Sequence, residues 1–194
     1  MAVTLNASTS SGFIQTADTS GDLALQSNGT TQLTVSSTGA YGQIKSGTAV
    51  ASTSGTSIDF TSIPSWVKRI TVMFNAVSLS GTDFILVQIG SGSLSTSGYT
   101  SSGSSGAAAV ASTTGRTDGF IIRTVAGSDS VTGGMVIQNI TSTIWVSNHT
   151  CGGSGFFIGG GISPSLSGAL DRVSVTRSGT NTFDAGTINI LYEG

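Results

Sequence analysis

His149 and Cys151 are the one histidine and the one cysteine of a 194-residue chain, and they stand two positions apart at the end of a segment that reads as a β-strand. Side chains at i and i+2 of a strand share a face, so an imidazole and a thiolate placed this way could grip a metal ion together. A closed tetrahedral site needs four donors, and the chain holds no second histidine or cysteine to complete one. Three copies of His149 on a threefold axis would be needed for more nitrogen ligands. A surface or interface histidine is the expected reading, with no metal and no cofactor. Cys151 as a nucleophile would need a base held by a third group, and no orienting acid is identifiable beside His149.

Paired carboxylates are the next chemistry to look for, because hydrolysis of a glycosidic bond takes two of them across the scissile bond. The chain offers eight Asp and one Glu, Glu193. Asp18, Asp22, Asp118, Asp129 and Asp184 all lie in Gly/Ser/Thr-rich contexts, where a short carboxylate serves a turn by accepting hydrogen bonds. An enzyme is therefore not expected. Glycines 152, 153, 155, 159, 160 and 161 lack the lysine and following helix of a phosphate-cradling loop and read as bulges and strand corners. Asn28 and Asn148 head N-x-T triplets, but the opening MAVTLNASTSSG has neither the basic nor the apolar region of a secretory leader. Synthesis and folding in a cytoplasm are expected, without glycosylation.

Exposed aromatic side chains remain, since sugar rings and other ligands stack on them. Trp66 and Trp145 have apolar strand neighbours and read as core. Two long Gly/Ser-rich connections, 90–106 and 150–168, carry Tyr99, Thr100, Phe156 and Phe157. Long loops often carry binding function, so these four are the expected contact residues, with Tyr99, isolated among Ser and Gly, as the exposed one.

The elements that must position these groups follow from composition. Ser, Thr and Gly number 34, 28 and 28, almost half the chain, while charged residues are 8%. Solubility must then come from hydroxyls and backbone, and such short side chains suit extended structure. Disorder fails as a whole-chain reading, because 37% of residues are apolar and they gather in β-branched and aromatic runs able to build a core. A net charge of −2 and seven scattered basic residues give no footprint for nucleic acid. No run approaches the roughly 18 apolar residues of a membrane span. One cysteine excludes an intrachain disulfide.

Residues 1–46 read as an attachment or oligomerisation arm. Leu23 and Leu25 face Leu33 and Val35 across the hairpin dipeptide Asn28-Gly29. Two strands have one thin apolar face, so the arm needs a partner. Residues 47–194 read as an antiparallel β-sandwich, jelly-roll-like, because strand signals recur at short intervals. In Trp66 to Phe74 the alternation points Ile70, Val72 and Phe74 inward. Comparable runs are 58–60, 84–89, 120–125, 135–140, 144–148, 156–158, 173–177 and 188–192. No segment sustains a 3.6-residue period, so the expected class is all-β.

The stretch GFIQTADTSGDLALQSNGTTQLTVSSTGAYG, residues 12–42, resembles the opening of tail-fibre and related virion proteins of tailed bacteriophages. IPSWVKRITVMFNAVSLSGT, residues 63–82, and TFDAGTINILYEG, residues 182–194, are similar to a domain shared by such proteins. The resemblance implies a virion part that self-associates as a homotrimer or another multi-copy assembly and docks by its N-terminal arm on a tail adaptor or capsid protein. Its outer domain would meet a host surface glycan or protein. A short tail fibre or receptor-binding component is the first expectation, and a head fibre or capsid decoration protein the second.

Overall fold

The computed structural model describes residues 23–36, 39–41, 44–107, 110–124 and 126–194. The chain divides after Gln43 into two compact units. In the first, β1 (Leu23–Ser27) and β2 (Thr30–Ser36) are joined by Asn28 and Gly29, with φ of 50° and 74°. Both values lie in the left-handed region that a two-residue hairpin turn demands, which Asn-Gly enters at low cost. Leu25 stands opposite Leu33 and Leu23 opposite Val35, the pairing expected from the sequence. A third strand, β3 (Gly39–Tyr41), pairs with β2, a pairing the sequence reading did not include. Leu25 and Val35 remain exposed, as the single apolar face of a thin sheet must be.

The second unit holds β4 (Ile44–Ser46), β5 (Val50–Ala51), β6 (Ile58–Thr61), β7 (Arg69–Leu79), β8 (Ile85–Ser91), β9 (Ser93–Leu94) and β10 (Thr100–Ala107). It continues through β11 (Val110–Arg116), β12 (Phe120–Ile122), β13 (Val131–Thr141), β14 (Ile144–Gly153), β15 (Phe156–Ile162), β16 (Arg172–Arg177) and β17 (Phe183–Glu193). Nine strands form one sheet in the order β11-β10-β15-β14-β13-β7-β17-β4, with β5 also on β17. Five form the other, β12-β8-β16-β6, with β9 on β8. The fold is all-β and antiparallel, and no helix occurs among the described residues. Because β4 pairs with β17, the unit boundary falls after Gln43 instead of residue 46.

The chain crosses between sheets from β7 to β8 and again from β16 to β17, while β7 pairs with β17 and β8 with β16. A two-stranded ribbon folded over itself in this way is the jelly-roll-like element of the sandwich. Ile70, Val72, Phe74, Ile188 and Ile190 from one sheet share a single buried cluster with Ile58, Val87, Ile89, Val173 and Val175 from the other. Burial of this apolar surface, at about 25 cal/mol per Å², is the main favourable term.

Strand β7 alternates as expected up to Phe74, and then changes phase so that Val77 and Leu79 face inward. Ala76 has φ 51°, and the register slips here against both β13 and β17. This β-bulge inserts one residue and turns the second half of the strand back onto the core. The backbone N–H of Ala76 donates to Thr132 Oγ1 at 3.0 Å, which satisfies the group that the bulge releases.

The two segments expected as long loops are mostly strand. Residues 90–106 contain β9 and most of β10, and residues 150–168 contain the end of β14 and all of β15. Their Gly and Ser residues hide the apolar alternation by which strands are recognised. The reason is local packing: at Gly103 an added methyl would come within 3.1 Å of the Ile121 carbonyl oxygen, so β10 is stripped of side chain where β12 presses on it.

Candidate contact surface

On β15 the pleat sends Phe157 inward and Phe156, Ile158 and Ile162 outward, with exposures of 41%, 43% and 39%. Ile158 sits between Thr150 of β14 and Ser104 of β10, and Ile162 between Val146 and Thr100. Phe156 lies between Gly152 and Gly106. Further along, Thr150 adjoins Gly134 of β13, and Val146 adjoins Gln138. From β10 to β13 the outward positions therefore carry hydroxyls, amides, aliphatic groups and one aromatic ring, but no ionisable side chain. The first charge met is Arg69, opposite Gln138, and it is paired with Glu193 at 3.3 Å. A partner settling on this face would strip water from apolar and hydroxyl groups without burying an unpaired ion, which is the expensive step in most contacts.

The four sequence-predicted contact residues divide evenly. Thr100 and Phe156 are on this outer face, near opposite ends of β15. Tyr99 and Phe157 are in the core, which corrects the expectation that Tyr99 is exposed: it is 1% exposed. Its hydroxyl accepts from the Ile89 N–H at 2.9 Å and donates to the Ile89 carbonyl at 3.3 Å. Its ring meets Phe120 edge-on, with centroids 5.0 Å apart. Isolation among Ser and Gly misled here because Tyr99 immediately precedes β10 and fills space that those small residues leave open. Burial pushes its hydroxyl up to about 12.

His149 and Cys151 share the inner face of β14, as i and i+2 positions must, and both are buried. His149 is therefore a core residue and not the surface or interface histidine expected; neither of its nitrogens has a hydrogen-bond partner among the described residues, and burial pushes the imidazole down to about 4. Burial likewise pushes the Cys151 thiol up to about 11, so it is held as the unreactive thiol. No group of three or more His, Cys, Asp or Glu side chains is gathered for a metal among the described residues.

The carboxylates mostly serve local structure. Asp83 accepts from the Asn181 N–H, Asp129 from Ala126 N–H and Ser154, and Asp184 from Ser78. The Arg116 guanidinium beside Asp118 holds that carboxyl below its usual range. Asp18 and Asp22 lie outside the described residues. Trp145 is buried, as expected, and Trp66 packs against Tyr192 with ring centroids 6.1 Å apart. Sequence reasoning missed Ile158 and Ile162 as surface residues; the signal was their spacing of four about Gly160 in one strand.

No family model, no curated protein and no solved structure matches the chain.

Proposed function

We propose that this is a non-enzymatic structural protein of a tailed-bacteriophage particle, a short tail fibre or receptor-binding component that adheres to the host surface. The observation carrying the reading is the uncharged outer face of β10, β15, β14 and β13, set on an antiparallel sandwich. Support also comes from the hairpin unit, whose Leu25 and Val35 are left exposed and call for association with other copies or with a virion partner. Weak contacts repeated on several identical tips add through effective concentration, so one modest face per copy gives usable avidity. Binding of the purified oligomer to susceptible host cells is the test. Absence of binding, where whole particles bind, rejects adhesion.

The same uncharged face also suits permanent contact with a neighbouring shell protein, which is the reading as a head fibre or capsid decoration protein. Imaging of the protein on intact particles separates the two. Loss of infectivity with intact heads after its removal supports adhesion, and fragile heads support decoration.

A further inference from the structure

Six of the chain's seven cations are engaged. Lys45 Nζ lies 5.7 Å from the centroid of the Trp66 ring, and Arg69 pairs with Glu193. Arg116 and Arg172 pair with Asp118 and Asp171. Arg123 donates to Thr114 and Ser105, and Arg177 to the Asn181 carbonyl. Among the described residues only the Lys68 ammonium has no ion pair, hydrogen bond or aromatic ring.

Lys68 lines an open cleft of about 340 Å³, where the connection into β7, the β13–β14 turn and the connection into β16 meet. Asn139 lines it too; its Nδ2 donates to the Thr141 and Ile144 carbonyls, which leaves Oδ1 as a free acceptor. Ser142 adds an exposed hydroxyl. Val67, Leu170 and Trp145 supply an apolar wall. The Trp145 indole N–H is buried and has no acceptor among the described residues.

We propose that this cleft binds a carboxylate-bearing pyranose, with Lys68 taking the carboxylate, Ser142 and Asn139 the ring hydroxyls, and the apolar wall the C–H face of the ring. One ammonium without a second cation matches a monoanion better than a phosphate. The volume is near the lower end of ligand pockets, about 300–1,000 Å³, and suits one ring instead of a chain. The inference goes beyond adhesion as such and holds wherever on a particle the protein sits.

Calorimetric titration of the full chain with galacturonate, galactose and acetate tests it, alongside Lys68→Gln. Saturable galacturonate binding is expected, with galactose, acetate and the Lys68→Gln variant each weaker by about five- to tenfold. Lys68 is exposed, so the variant should keep the wild-type melting temperature. Polygalacturonate distinguishes sources: competition in proportion to its chain ends identifies a terminal sugar, and competition per residue an internal one. No saturable galacturonate binding, acetate equal to galacturonate, or an unaffected Lys68→Gln variant overturns the assignment. If host-cell binding persists alongside any of these results, only this inference falls and adhesion stands.

Discussion

His149 of β14 lies directly across from Gly159 of β15, and a methyl group built on Gly159 would come within 2.6 Å of His149 Cε1. The glycine is thus the space in which the imidazole lies. On the far side Gly159 faces Gly103 of β10, a second residue without a side chain. Gly159→Ala is expected to destabilise the protein by about 1–3 kcal/mol, the usual range for forcing a methyl into a packed core. Gly152, on the same hairpin, has nothing within 4 Å of its added methyl. Gly152→Ala should therefore be neutral, or stabilising by up to about 1 kcal/mol through the unfolded chain. Urea unfolding of the two variants checks the contrast, and equal effects would refute it.

The same histidine predicts how stability depends on pH. An unfolded imidazole takes up its proton near pH 6.5, whereas the folded one resists until about 4. Between those values the unfolded state binds more protons, so stability falls as pH is lowered through this window and levels off below about 4. The loss is of order 3 kcal/mol at most, at about 1.4 kcal/mol per pH unit. Ordinary carboxylates contribute little above pH 5. Unfolding free energies measured from pH 7 to 5 should show a slope that disappears in His149→Leu. A slope unchanged by that substitution would assign the effect elsewhere.

Tyr99 separates core from contact. Tyr99→Phe keeps the edge-on packing with Phe120 but leaves the Ile89 N–H buried without its acceptor. A loss of about 1–3 kcal/mol in stability is expected. Ligand or cell binding by the folded variant should be unchanged. A variant with native stability and weakened binding would return Tyr99 to the surface.

Some of this was legible in the residues and some was not, for physical reasons. The all-β class, the Leu25–Leu33 pairing and the inward Ile70, Val72 and Phe74 follow from alternation and turn chemistry, which act locally. The bulge at Ala76 shifts phase for the benefit of β13 and β17, and local alternation cannot register it. Strands β10 and β11 were invisible because hydroxyls and glycines carry no hydropathy signal; their pairing rests on backbone hydrogen bonds and contacts such as Ser104 Oγ to Thr113 Oγ1 at 2.8 Å. The outer face required knowing that β10, β15, β14 and β13 lie side by side, a property of the sheet and not of any strand.

That face yields the last prediction. Ile158 and Phe156 are exposed, so replacing them costs the monomer little, within about 0.5 kcal/mol for each as surface substitutions. At a contact, large apolar side chains near the centre often contribute 2 kcal/mol or more. The double variant Phe156→Ser, Ile158→Thr should therefore melt close to wild type yet bind its target at least about tenfold more weakly per copy. Repetition over several copies multiplies that loss. Thr180→Ala, an exposed change in the β16–β17 connection, serves as the control and should have no effect. Binding to host cells and sedimentation velocity, run on all three proteins, read out receptor contact and self-association separately. If the double variant matches wild type in both, the uncharged face is not the contact surface.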